Sequence, residues 1–174
     1  MADGKAYAFA FDDVGAFESL VNDGDPRAAG ITLTPFTGGG TTPPPSTGAV
    51  ALISNWNNKC IDVNAANFSD GVPLQVWNCN GSIAQKWTFT AGTVRAENNK
   101  CMDVAGGSTA SGTTVQIANC SGNPAQQFVL SGAGDLVNPQ ANKCVDIGGW
   151  DPADGAKLIL WDCNGAAVQK WRKG

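Results

Sequence analysis

The sequence predicts an all-β domain in which three internal repeats close around a pseudo-threefold axis. The motif Lys59-Cys60-Ile61-Asp62-Val63 returns as Lys100-Cys101-Met102-Asp103-Val104 and again as Lys143-Cys144-Val145-Asp146-Ile147. Each copy is followed at one fixed distance by a second cysteine (Cys79, Cys120, Cys163), and then by an aromatic that closes Gln85-Lys86-Trp87, Gln126-Gln127-Phe128 or Gln169-Lys170-Trp171. The pairs Asp70-Gly71, Ser111-Gly112 and Asp154-Gly155 recur in register with these motifs and favour tight hairpin turns; Gly81, Gly122 and Gly165 mark a second turn. Short strands with regular turn signals indicate an all-β domain, and a fixed long period indicates a repeat architecture. A propeller typically needs more blades than the three copies present. Units of about four strands, each too small to bury its apolar face alone, must share one core.

The totals narrow the function classes. An apolar content of 43% in 174 residues suffices for a packed core. A net charge of −4 argues against a nucleic-acid partner, which normally needs a basic surface. No apolar run is long enough to span a membrane, and Met1-Ala2-Asp3-Gly4-Lys5 lacks the signal-peptide pattern, so no membrane partner is expected and any export signal is expected to lie outside this sequence. Six cysteines in equally spaced pairs, with no histidine, read as structural disulfides rather than metal ligands or catalytic thiols. Repeat symmetry selects Cys60–Cys79, Cys101–Cys120 and Cys144–Cys163. Such bridges place the protein in an oxidising, secreted, extracellular setting.

In chain order, residues 1–36 stand outside the repeats, with strand-like alternation at Tyr7-Ala8-Phe9-Ala10-Phe11 and Ile31-Thr32-Leu33-Thr34. Residues 37–48, a glycine run beside a proline run without large apolar side chains, read as a linker. Residues 49–174 hold the repeats, at about 49–90, 91–130 and 131–174.

Paired cysteines, Cys-x-Asp motifs and Gln-x-Trp endings over residues 49–174 resemble the ricin-type lectins and carbohydrate-binding module family 13, which implies a β-trefoil. The stretch Tyr7–Val14, with Asp25-Pro26 and Ile31–Phe36, resembles the C-terminal end of the glycoside hydrolase family 64 β-1,3-glucanases; residues 1–36 would then be the remnant of an upstream catalytic domain.

Strand alternation separates core from site. Ile61 and Val63 face one way and Cys60 and Asp62 the other; Leu74 and Val76 form an apolar row opposed by Gln75 and Trp77. Joining Cys60 to Cys79 gathers Asp62, Gln75 and Trp77 on one non-core face, with Asn78 beside them. A carboxylate can accept from two sugar hydroxyls at once, and an exposed aromatic covers the apolar side of a sugar ring. The resemblance implies sugar contacts at these positions. The third repeat keeps Asp146, Trp161 and Asp162 and adds Trp150, but has Ile159 in place of the glutamine. The second keeps Asp103 and Gln116 but has Ala118 in place of the tryptophan, and is expected to bind weakly or not at all. Many relatives carry Asn before the Gln of Gln-x-Trp; Ala84, Ala125 and Val168 stand there instead, which argues against galactose and, with the glucanase-like stretch, for β-1,3-glucan. Trp87, Phe128 and Trp171 read as core, and Trp56 has no counterpart in the other repeats.

The resulting expectation is a monomeric, non-catalytic module that binds polysaccharide or oligosaccharide and tethers a glycoside hydrolase to it, without cofactor or metal. A free-standing galactose-type lectin is the alternative. An enzyme complete in this chain would need two carboxylates across one cleft, and Asp12, Asp13 and Glu18 have too little chain around them to build one. Asp151-Pro152-Ala153-Asp154-Gly155 falls short of a calcium-loop spacing.

Overall fold

A computed structural model describes residues 48–174; the strand-like alternation expected in residues 1–36, the glucanase-like stretch and nearly all of the linker lie outside the described residues. The repeats form twelve strands: β1 (Leu52–Ser54), β2 (Cys60–Val63), β3 (Leu74–Trp77), β4 (Thr88–Thr90), β5 (Thr93–Ala96), β6 (Lys100–Val104), β7 (Val115–Asn119), β8 (Val129–Leu130), β9 (Leu136–Asn138), β10 (Lys143–Ile147), β11 (Leu158–Asp162) and β12 (Trp171–Lys173). They pair into three four-stranded sheets, ordered β12-β1-β2-β3, β4-β5-β6-β7 and β8-β9-β10-β11. The last strand of each repeat thus joins the sheet of the next, and β12 closes the ring on β1 through Leu52↔Lys173 and Ser54↔Trp171. This is a β-trefoil.

The central hairpins follow from the alternation. In the first sheet Cys60 faces Trp77, Ile61 faces Val76, Asp62 faces Gln75 and Val63 faces Leu74. The same register brings Asp103 opposite Gln116 and Asp146 opposite Ile159. Ile61, Val63, Leu74 and Val76 are fully buried, as are Ile117, Val145, Leu158 and Leu160 in the other hairpins, and all belong to one hydrophobic cluster. The disulfides join Cys60–Cys79, Cys101–Cys120 and Cys144–Cys163, with Cα–Cα distances of 5.1, 5.0 and 5.1 Å.

The Asp-Gly and Ser-Gly pairs do not form the two-residue hairpin tips that their composition suggests. They lie just before β3, β7 and β11, and their backbone pairs with a different repeat. Gly71 N–H donates to the Ile117 carbonyl at 2.8 Å and Ile117 N–H to Val72 at 3.0 Å. Gly112 and Thr113 pair likewise with Leu160 (2.7 and 2.8 Å), and Gly155 and Ala156 with Val76 (both 2.9 Å). The first repeat therefore grips the second, the second the third, and the third the first. Left-handed backbone at Gly71, Gly112 and Gly155 (φ +82°, +88° and +92°) is what selects glycine there.

Trp87, Phe128 and Trp171 fill the core at the end of each repeat. The Trp87 and Trp171 indoles also donate to the Ile61 and Val145 carbonyls, both at 3.0 Å, tying the last strand of a repeat to its central hairpin. Phe128 has no donor and contributes packing alone. Trp87→Ala is expected to cost about 3–5 kcal/mol in chemical denaturation, while Trp87→Phe costs about 1–3 kcal/mol, chiefly by leaving the Ile61 carbonyl unpaired.

Candidate functional site

The first-repeat site is built around Asp62. Gln75, directly across the ladder, donates Nε2–H to Asp62 Oδ1 at 2.9 Å. Gln85 donates to Oδ2 at 3.1 Å and to the Asn78 carbonyl at 3.0 Å, while its own carbonyl accepts from Asn80 N–H at 2.8 Å. The carboxylate is 6% exposed and held from two sides, yet each oxygen keeps a lone pair for a further donor. Burial raises the Asp62 pKa above the ordinary aspartate value; the two amides partly offset this, and the charge of Asp154 adds to it. Trp77 is 41% exposed. Its ring lies over Gly155 of the third repeat, where an added Cβ would sit 4.0 Å from Cζ3.

The third-repeat site repeats the plan with one support fewer. Gln169 donates to Asp146 Oδ2 and to the Asp162 carbonyl, both at 2.9 Å, and accepts from Asn164 N–H at 3.0 Å. Ile159 faces Asp146 and offers no donor, so burial again raises the pKa with only Gln169 opposing it. Trp161 is 43% exposed, with its ring against Gly112 of the second repeat. Trp150, in the loop after β10, is 54% exposed.

In the second repeat Gln116 donates to Asp103 Oδ2 at 2.9 Å, whereas Gln126 turns to the Asn119 carbonyl at 3.0 Å. Ala118 occupies the place of the tryptophan, facing Cys101. A cavity of 370 Å³ lies here, lined by Asp103, Gly106, Gly107, Pro124, Ala125 and Gln140 among others. An open volume without a stacking surface is not by itself affinity.

Asn78 and Asp162 occupy a different kind of position. Asn78 donates its backbone N–H and its Nδ2–H to the carboxylate of Asp154 at 3.0 and 2.8 Å, and Lys59 is ion-paired with the same carboxylate. Asp70 receives Asn119 (2.9 and 2.7 Å) and Lys100 in the same way. In the third junction the acid has changed sides: Ser111 replaces the turn aspartate, and Asp162 itself pairs with Lys143 and is hydrogen-bonded by Ser111. These clamps hold the Asp-Gly and Ser-Gly turns that support the tryptophans. Lys100 and Lys143 hold Asp70 and Asp162 below the usual carboxylate pKa.

The residues missed by sequence reasoning are Gln85 and Gln169. Their fixed place before the core aromatic was a signal, but it attached to the aromatic. Gly155 and Gly112 come to the sites from another repeat, which no local pattern shows.

Residues 48–171 match the family model of the ricin-type β-trefoil lectin domain. Glucan endo-1,3-β-glucosidases of Cellulosimicrobium cellulans and of Arthrobacter sp. (strain YCWD3) are each 49% identical over 109 residues, 55% of this chain and 20% of theirs. The chain thus spans about a fifth of the length of these relatives. Among solved structures, the designed threefold symmetric protein ThreeFoil superposes with a TM-score of 0.67 at 29% identity, covering 72% of this chain and 96% of its own. The agglutinin from Abrus precatorius shares the fold, with a TM-score of 0.66 at 24% identity over 72% of this chain and 48% of its own.

Two predictions follow from the geometry. Protonating Asp62 or Asp146 removes an acceptor, and burial sets that loss at a higher pH than for an ordinary aspartate, so a ligand held by these carboxylates is expected to be released as the pH drops. Their effect on stability has the opposite sign: a raised folded pKa penalises the ionised form, and the penalty sets in as pH rises from the unfolded value through the folded one. Calorimetric titration across acidic pH, alongside thermal melts, separates the two. Asp154→Ala releases Lys59 and Asn78 and is expected to cost about 1–2 kcal/mol in denaturant melts.

Proposed function

Because this chain belongs to the ricin-type β-trefoil lectin family, a non-catalytic carbohydrate-binding domain here in a glucanase-related setting, we propose that it binds β-1,3-glucan and tethers an appended glycoside hydrolase to that polysaccharide. The observation that carries this reading is the pair of exposed tryptophans, Trp77 and Trp161, each on the same hairpin as a buried, glutamine-held carboxylate. Such a pair supplies an apolar surface for one side of a sugar ring and a fixed acceptor for its hydroxyls, and needs no proton transfer. Asp62, Gln75 and Trp77 make the principal contacts; Asp146, Trp161 and Trp150 make a second site of altered preference; Asp103 and Gln116 contribute least. Asn78 and Asp162 serve these sites through the turns they clamp.

The glucan assignment is supported by the two endo-1,3-β-glucosidase relatives and by Ala84, Ala125 and Val168, which are buried and bring no polar side chain to the hydroxyls. The domain acts as a secreted monomer whose two sites engage one polymer and gain avidity from doing so. Galactose recognition, on the pattern of a free-standing lectin, is the competing reading.

Trp77→Ala and Trp161→Ala are each expected to weaken retention on insoluble β-1,3-glucan by about tenfold, and the double variant to lose it, with the circular dichroism of the fold preserved. Unchanged retention in the double variant, or a glycan array that lights up galactosides and not linear glucans, rejects the proposal.

A further inference from the structure

Trp56 lies in the turn between β1 and β2 of the first repeat, half-buried against the core. Its ring meets that of Trp150 of the third repeat, with centroids 5.7 Å apart and planes at 82°. This contact crosses the junction where the chain closes on itself. Two comparisons within the molecule give it meaning. Trp56 precedes Lys59 at the spacing at which Gln140 precedes Lys143, and Trp150 follows Asp146 at the spacing at which Gly107 follows Asp103. Gln140 and Gly107 both line the open cavity beside Asp103. The positions that leave the second-repeat site hollow therefore carry two tryptophans at the third.

The backbone at Trp150 is also unusual. Its φ is +55°, in the left-handed region, where Gly107 and Ala66 stand in the other repeats. A bulky side chain is strained there, and strain of this kind gathers at functional positions. The edge contact with Trp56 anchors Trp150 while leaving it 54% exposed. Along β10, Cys144 faces Trp161, Asp146 lies two residues on, and Trp150 follows in the loop beyond. At roughly 3.4 Å per strand residue, Asp146 is set about 7 Å beyond the level of Trp161.

We propose that Trp56 and Trp150 form an aromatic wall across the junction of the first and third repeats, giving the third-repeat site a second stacking subsite. That site then takes an extended stretch of glucan chain rather than a single terminal sugar. The inference rests on the glucan-binding reading above and adds chain-length selectivity to one site. The first-repeat site has Ala66 and Glu97 at the matching places and carries no such wall.

Calorimetric titration of the full chain with laminaribiose and laminarihexaose tests this. In a Trp77→Ala background the hexaose is expected to bind about five- to tenfold more tightly than the disaccharide. Trp56→Ala should abolish most of that difference while sparing disaccharide affinity, Trp150→Ala should abolish it as well, and Trp56→Phe, which keeps the edge contact, should restore it. In a Trp161→Ala background the first site should show no comparable length dependence. A length preference that survives both alanine substitutions overturns the proposal, as does an equal loss for both ligands accompanied by a lowered melting temperature, the signature of a packing role alone. Binding by the Trp161→Ala variant but not by the Trp77→Ala variant overturns it as well. Failure of the unsubstituted protein to bind either glucan overturns the glucan-binding reading itself.

Discussion

The structure depends on the ring of backbone hydrogen bonds by which the Asp-Gly or Ser-Gly turn of each repeat grips the central hairpin of another. A single hairpin with one apolar face cannot stand in water, and three of them must meet at one core. The ring sets how they meet. It pairs backbone groups that would otherwise be lost at the junctions, and it requires left-handed backbone at Gly71, Gly112 and Gly155. The exchange of strands between neighbouring sheets, completed by β12 on β1, does the same at the other end of each repeat.

The sites are by-products of that ring. Trp77 and Trp161 stand exposed because each lies against a glycine of a neighbouring turn rather than under a side chain. The clamp of Lys59 with Asp154 fastens the turn against Trp77, and that of Lys100 with Asp70 fastens the Asp70-Gly71 turn, which carries no tryptophan. At the third junction the acid moves from turn to strand, as Asp162, so the attraction persists although the residues are exchanged. Structural and ligand-facing polar groups therefore lie within a few residues of each other. Asn78 shows this: its side chain and backbone N–H clamp Asp154, while its carbonyl accepts from the Gln85 amide that also holds Asp62. The glutamines before the core aromatics link the two roles, because Gln85 and Gln169 hold the carboxylate with one end and brace the preceding loop with the other.

Symmetry of architecture does not make the sites equal. Side chains at the rim differ while the backbone repeats: Ala118 leaves one site without a ring, Ile159 deprives another of a donor, and Trp150 adds an exposed ring at the third repeat. Such positions can vary without disturbing the core, since the rows that build the core point the other way.

Much was legible in the chain alone because it repeats. Period, paired cysteines and strand alternation determined the number of units, the disulfide pairing, the buried row from Ile61 to Val76, and the face on which Asp62, Gln75 and Trp77 gather. Local periodicity could do this because a strand's two faces are written two residues apart. Contacts between repeats are not written locally. Only the tertiary structure decided that the Asp-Gly pairs stitch neighbours together, that Asn78 and Asp162 belong to clamps, that Gly155 and Gly112 lie under the tryptophans, and that Trp56 meets Trp150 across the closure. Each joins residues far apart in sequence, and their approach is set by the packing of the three apolar faces into one core rather than by any pattern within a repeat.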